Sequence, residues 1–300
     1  MTNRTISYVV TASDNGIKCE NFLKSKGLSS KIITKLKEKP TGITLNNEHI
    51  YVSKILCEGD EVVLSLDSES SSENIVATKL DFEIVYEDED ILVINKPANM
   101  AVHPSQGNFE NTLANAVAYY FQSQNEPFIF RAINRLDKDT TGLLVLAKNA
   151  FSACFLSDSM VKREIHREYL ALVAGDIDSE GTINAPIARV ADSTIERCVN
   201  FEHGDEAITH YKKLNYENNI SLVSIKLDTG RTHQIRVHFK YIGHPLLGDF
   251  LYNPDFTRIN RQSLHSYKLT FPHPITKEII SFTAEIPKDM EFAKKRLVSP

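Results

Sequence analysis

The run Asp67-Ser-Glu-Ser-Ser-Ser-Glu-Asn74 constrains this chain more than any other stretch, because it offers no apolar side chain to bury. Such a segment cannot recover the conformational entropy that ordering costs, so it joins folded units instead of belonging to one. Charge changes sign around it. Residues 18 to 39 carry seven lysines against Glu20 and Glu38, a local net of +5, whereas residues 67 to 90 carry nine acids against Lys79, a local net of −8. The whole-chain charge of −5 hides this contrast. We therefore expect a basic module over 1–66, an acidic linker over 67–78 and a larger domain over 79–300. With 300 residues, 42% of them hydrophobic, the chain can bury a full core beside a small module.

Local signals place several elements. Ser29 or Ser30 can cap a helix carrying Ile32, Ile33 and Leu36, which must stop before Pro40 and Gly42. Short strands are expected at Ile43–Leu45 and Glu61–Leu66. Beyond the linker, Phe82–Tyr86 and Ile91–Asn95 read as paired strands around the acidic turn Glu87–Asp90. Thr112–Phe121 has helical spacing at Leu113, Val117 and Phe121, and Glu168–Val173 and Ile220–Leu227 are further strands. Helices and strands interleave without regular alternation. That pattern predicts an α+β (mixed α/β) fold on a largely antiparallel central sheet.

Other chemistries find little support. Cys19, Cys57, Cys154 and Cys198 lie too far apart for a disulfide framework or a zinc site and are expected as reduced, mostly buried thiols. His233 and His238 are five apart, not the four that would align two metal ligands on one helix face. No metal and no cofactor is expected. The N-terminus lacks an apolar signal region and no later stretch could span a bilayer, which predicts a cytoplasmic protein without a membrane partner.

The most specific segment is Ala132-Ile-Asn-Arg-Leu-Asp-Lys-Asp-Thr-Thr-Gly-Leu-Leu-Val-Leu-Ala-Lys148, where polar residues abut an apolar strand and set Asp137 at the mouth of a core. It resembles the catalytic motif of the RluA family of pseudouridine synthases, with Asn134 where His is common and Thr141 where Ser is common. Asn95-Lys-Pro-Ala-Asn-Met-Ala-Val-His-Pro104, Arg167-Glu-Tyr-Leu-Ala-Leu-Val173 and Leu227-Asp-Thr-Gly-Arg-Thr-His-Gln-Ile-Arg-Val-His238 resemble further motifs of that family in the same order, the last followed by Gly243-His-Pro-Leu-Leu-Gly-Asp249. In the first of these Asn99 stands where Gly is usual, and Asn tolerates a left-handed backbone better than most residues. In the second Arg167 stands where Lys is usual. The resemblance covers roughly residues 80 to 290. Residues 18 to 66 resemble, more weakly, an S4 RNA-binding module.

The resemblance implies isomerisation of uridine to pseudouridine in structured RNA, ribosomal RNA of the large subunit first and transfer RNA second, with no obligate protein partner. It makes Asp137 the catalytic carboxylate, Tyr169 the active-site tyrosine and Arg135 the residue that helps to fill the space of the extruded base. Lys96 and His103 become pocket wall or phosphate contacts. Lys31, Lys35 and Lys37 of the basic module are candidates for substrate binding through phosphate neutralisation. The chemistry asks for an ionised carboxylate beside the ribose, as nucleophile at C1′ or as base at C2′, and a guanidinium to keep it ionised. Arg231 and Arg236 are the candidates. On one helix they would point about 140° apart, so only one can face Asp137. Arg231 is the expected partner, because Gly230 lets the backbone pass close to the pocket, and Arg236 is left as a substrate contact. Two other readings remain: a non-catalytic RNA-binding or ribosome-assembly protein on the same fold, and a glycoside hydrolase, for which Asp139 would be a poorly placed second carboxylate.

Overall fold

The computed structural model describes residues 4–66, 71–72 and 74–291. In the basic segment, strands β1 (Arg4–Val9), β2 (Ile43–Leu45), β3 (Glu48–His49) and β4 (Glu61–Leu66) form an antiparallel sheet in the order β1-β4-β2-β3. Helices α1 (Cys19–Ser25) and α2 (Ser30–Lys37) share its core: Phe22, Leu23, Ile33 and Leu36 meet Ile6, Ile43, Leu45, Val62 and Leu64. Ser29 caps α2, its hydroxyl accepting from Ile32 N at 3.4 Å, and the helix stops short of Pro40. The apolar side of α2 is therefore inward, and Lys31, Lys35 and Lys37 stand exposed on the other.

The remainder is organised on one nine-stranded sheet. Its strands are β5 (Glu83–Glu87), β6 (Ile91–Lys96), β7 (Thr141–Ala147), β8 (His166–Ala174), β9 (Glu180–Asn184), β12 (Ile208–Glu217), β13 (Ile220–Leu227), β14 (Leu264–Pro272) and β15 (Ile279–Thr283), while β10 (Ile187–Arg189) and β11 (Arg197–Val199) pair separately. The order is β5-β6-β7-β14-β8-β13-β12-β9, with β15 on β14, and every pairing is antiparallel except the short β7–β14 one. The mixed, largely antiparallel fold expected from the sequence is the fold observed.

Strand β7 is the centre of the molecule because both of its faces are covered. Leu144 and Leu146 join the core under α3 (Leu113–Ser123) and α5 (Gln234–Tyr241), whereas Leu143 and Val145 join the core under α4 (Ala150–Val161). Each such side chain contributes roughly 1.5–3 kcal/mol on burial. The parallel approach of β14 to β7 needs a glycine. Gly142 has φ +107°, and a Cβ there would lie 2.3 Å from Ser266 O. This contact brings the chain after β7's predecessor loop, residues 134–140, hard against the start of β14.

Helix α4 links the two sheets. Phe151, at its start, is buried in the core of the basic segment, and Phe155 lies under Gly27, whose Cβ would meet its ring at 3.0 Å. Lys277 sits over the Phe155 ring at 3.5 Å, and Arg4 of β1 pairs with buried Asp90 at 2.7 Å. Of the acidic connector, residues 67–70 and 73 lie outside the described residues. The rest is tied down, since Ser72 N reaches Phe128 O at 3.3 Å and Asn115 Nδ2 reaches Val76 O at 2.8 Å. The cysteines differ from expectation. Only Cys19 is buried; Cys57 is exposed and Cys154 and Cys198 are half-buried, because they lie on surfaces of α4 and β11 that no core reaches. Among the described residues no helix is long and apolar enough to cross a membrane.

Candidate active site

An open cleft of about 970 Å³ is lined by Val102–Ser105, Ala132–Asp137, the end of α4 and the loop Asp228–His233. Asp137 stands in it on the loop before β7, its side chain 28% exposed. The loop is fixed from below. Lys96 Nζ donates to Lys138 O at 2.9 Å, Met100 O at 2.8 Å and Pro97 O at 2.7 Å, and Met100 N donates to Lys138 O at 3.1 Å. Asp139 accepts from Asn99 N at 3.2 Å, its carbonyl takes Arg261 Nη1 at 3.2 Å, and Gln262 Nε2 holds Thr140 Oγ1 at 2.9 Å. Asn99 has φ +56°, so the left-handed turn is made without glycine. Asn134 and Thr141 are also buried hydrogen-bonding positions. Asn134 Oδ1 accepts from Val145 N at 3.1 Å, and Thr141 Oγ1 meets His265 Nδ1 at 2.9 Å.

The charge partner of Asp137 is Arg236, not Arg231. Arg236 Nη1 lies 2.9 Å from Asp137 Oδ2, while its Nε and Nη2 grip Asp249 at 2.7 and 2.8 Å. Arg236 is 2% exposed and Asp249 is fully buried. Burial alone would lower the Arg236 pKa, but hydrogen bonds and charge from Asp249 and Asp137 raise it above its ordinary value. Asp249 is itself held by Leu251 N at 3.0 Å and Tyr252 N at 3.1 Å. The expectation failed on one local fact. Helix α5 begins only at Gln234, so Arg231 precedes it, and the angular argument that set the two arginines apart on one helix does not apply. Arg231 instead donates to Glu206 O at 3.0 Å and lies 3.7 Å from Asp205 at the cleft's outer edge.

Tyr169, on β8, is nearly covered and faces a smaller hollow of about 80 Å³ that it shares with Asp137, Leu136, Ile235, Arg236 and Leu264. Arg135 is exposed at the cleft wall, and His103 stands opposite with its ring edge-on to Phe130 at 4.9 Å. Burial and then Arg135 keep the His103 pKa below the usual imidazole value. Lys96 is a correction: fully buried, with three carbonyls taking its three N–H groups, it positions the loop and offers nothing to a phosphate. Lys31, Lys35 and Lys37 lie on α2 and do not line the cleft. The arrangement therefore offers one carboxylate, locked against a buried guanidinium, beside an aromatic face. The carboxylate pair that a glycosidase would use finds no support: Asp139 accepts from Asn99 N at 3.2 Å, and Asp228, at the cleft's edge, is paired with His210 at 2.9 Å.

Residues 90–241 match the family described as RNA pseudouridylate synthase. The chain belongs to that family. It is an RNA pseudouridine synthase, and its substrate is RNA. It is 38% identical over 265 residues to an uncharacterized RNA pseudouridine synthase (YjbO) of Bacillus subtilis, covering 88% of this chain and 93% of that one. It is 39% identical over 243 residues to ribosomal large subunit pseudouridine synthase D of Haemophilus influenzae, covering 76% of this chain and 74% of the relative. Among solved structures, human RNA pseudouridylate synthase domain containing 1 superposes with a TM-score of 0.58 at 29% identity, covering 68% of this chain and 83% of that one.

The synthase site holds residues that the sequence reading passed over. His233 takes a left-handed conformation, φ +58°, at the start of α5. That turn aims its ring at Tyr252, whose hydroxyl is 3.0 Å from Nδ1, and leaves Nε2 3.8 Å from Asp137 Oδ2. Burial lowers the His233 pKa against the pull of Asp137, which favours the neutral ring. Asp249 and His233 were both inside motifs quoted from the sequence, but a motif does not say which side chain turns inward. Gln234 locks the loop above them, accepting from Arg231 N and Thr229 Oγ1, each at 2.9 Å.

Proposed function

We propose that this synthase isomerises uridines of large-subunit ribosomal RNA, with Asp137 as the acting carboxylate. The observation that carries the assignment is the Asp137–Arg236–Asp249 arrangement at the cleft floor, in which a buried guanidinium faces the carboxylate and is itself held from behind. Conversion breaks the bond from N1 to C1′, turns the base and joins C1′ to C5, whose hydrogen leaves as a proton. Asp137 serves as nucleophile at C1′ or as base at C2′, and both roles need it ionised. Tyr169 supplies a flat apolar face for the uracil, and Arg135, exposed at the mouth, occupies the space that the extruded base leaves in its stack. The ribosomal substrate is supported by the relatives named ribosomal large subunit pseudouridine synthase D.

Residues 1–66 act as an S4-like RNA-binding module, 67–78 as its linker and 79–300 as the catalytic domain. The exposed lysine face of α2 supports this, as does α4, which runs about 18 Å from the module's core to the cleft. Mapping pseudouridines in total RNA with and without the gene tests the assignment. Loss of specific large-subunit ribosomal sites is the expected result. An unchanged ribosomal map with altered transfer RNA overturns the substrate. Complementation with Lys31→Glu, Lys35→Glu and Lys37→Glu combined should restore those sites only in part, and full restoration would remove the module from RNA binding.

A further inference from the structure

The wall of the cleft between α4 and β8, formed by Met160, Val161, Arg163 and Arg167, has no part in the chemistry described above. Helix α4 ends there in a complete backbone closure: Arg163 N donates to Met160 O at 3.2 Å and Glu164 N to Ser159 O at 2.9 Å. This closure requires the residue after the cap to be left-handed, a place glycine fills without a Cβ clash. Arg163 fills it instead, at φ +61°. Its long cationic side chain is exposed and, among the described residues, makes no hydrogen bond or ion pair with the protein. Nothing in the fold accounts for an arginine at this place.

Arg167, at the start of β8, lines the same cleft. Its Nε is covered and has no partner, and its Nη1 would lie 3.3 Å from a Cβ at Gly230. The guanidinium thus lies close against the loop across the cleft. Val161, beside them, is 82% exposed at the cleft wall. The cleft lining as a whole is cationic, with Arg135, Arg163, Arg167 and Arg231 set against Asp137 and Asp228. Asp137 and Asp228 are each already paired, with Arg236 and His210. Arg231 has Glu206 O and Asp205, whereas Arg135, Arg163 and Arg167 have no acidic partner among the described residues, and an anion from outside is what they lack.

We propose that Arg163 and Arg167 together hold a backbone phosphate of the RNA strand on the α4–β8 wall, beside the nucleotide that enters the pocket. The inference rests on the reading of this cleft as the RNA site and names the contact that sets the strand's path through it. A forked guanidinium matches a phosphate's paired oxygens, and an ammonium does not.

Arg163→Gly separates this role from a structural one, because glycine relieves the left-handed strain while removing the contact. The expected result is a Tm at or above wild type, an affinity about tenfold weaker for an unmodified large-subunit ribosomal RNA transcript, and a salt slope smaller by about 0.7–0.9, the share of one phosphate. Arg163→Lys should keep the slope and recover only part of the affinity. Wild-type affinity in Arg163→Gly, a weaker affinity with an unchanged slope, or a Tm that falls with the affinity would each overturn the proposal. Binding is read by filter retention, independently of turnover. A wild-type protein that binds RNA but releases no tritium from uridine would therefore refute the catalytic reading and leave the phosphate contact decided on its own data.

Discussion

The floor and the wall of the cleft are both built from arginine, and they use it in opposite ways. On the floor, Arg236 is buried and each of its three nitrogens donates to Asp137 or Asp249. On the wall, Arg135, Arg163 and Arg167 keep their guanidiniums without protein partners among the described residues. Desolvating a charge costs several kcal/mol, so a buried arginine persists only with compensating acids around it. The floor accepts that cost to fix one carboxylate in one place. The wall leaves compensation to the RNA, whose phosphates bring it. Chemistry and binding are therefore expected to fail separately when each region is altered.

The largest effect should come from breaking the floor. Arg236→Ala leaves Asp137 and Asp249 without their shared counter-charge, and turnover should fall by about 10³-fold or more. Arg231→Ala should cost less than about tenfold, since it removes a surface contact to Glu206 and Asp205. Single-turnover rates, with folding checked by circular dichroism, read the contrast. If Arg231→Ala is the more damaging of the two, the floor has been assigned to the wrong arginine.

A middle-sized effect is expected at the boundary between the regions. Tyr169→Phe keeps the ring and its packing but removes the hydroxyl, and should slow chemistry by about 10²-fold while RNA affinity stays within twofold. Equal rates in Tyr169→Phe and wild type, with failure in Tyr169→Leu, would reduce the residue's contribution to its ring.

Legibility followed the same division between local and distant causes. Strands β2, β4, β6 and β13 and helices α2 and α3 could be read because their caps and apolar spacing lie within the element; Thr112 and Asn115 even close a capping box on α3. Helix α4 could not be read. Phe151 packs into the basic segment's core while Ala153, Phe155, Leu156 and Met160 pack toward the sheet, so its apolar residues spread around the helix and show no single side. In the site, Asp137 and Tyr169 were found through motif resemblance. The Asp137–Arg236 pair spans 99 positions and depends on where α5 begins, which is set by the left-handed backbone of His233. Nothing in the residue types around position 233 announces that turn, so a helix over both arginines sets them apart on paper and Gly230 points to Arg231, whereas the observed start at Gln234 turns Arg236 to Asp137.

The smallest effect concerns the support beneath the floor. Burial pulls the Lys96 pKa down to about 7, against the attraction of Asp139 and Asp137. Its folded value lies below the unfolded one, so the unfolded chain binds more protons between about pH 7 and pH 10. Stability should rise through that window and be lost as pH falls back toward 7. Urea unfolding of wild type and Lys96→Met across this range checks it, and a Lys96→Met curve with the same pH slope as wild type would exclude Lys96 as the source.

The most direct test of the floor as the seat of catalysis is Asp137→Asn, which removes charge and almost no volume. Tritium release from RNA labelled at uridine C5 should drop to background, with circular dichroism and filter binding of the same RNA unchanged. Release within tenfold of wild type would contradict the assignment of Asp137.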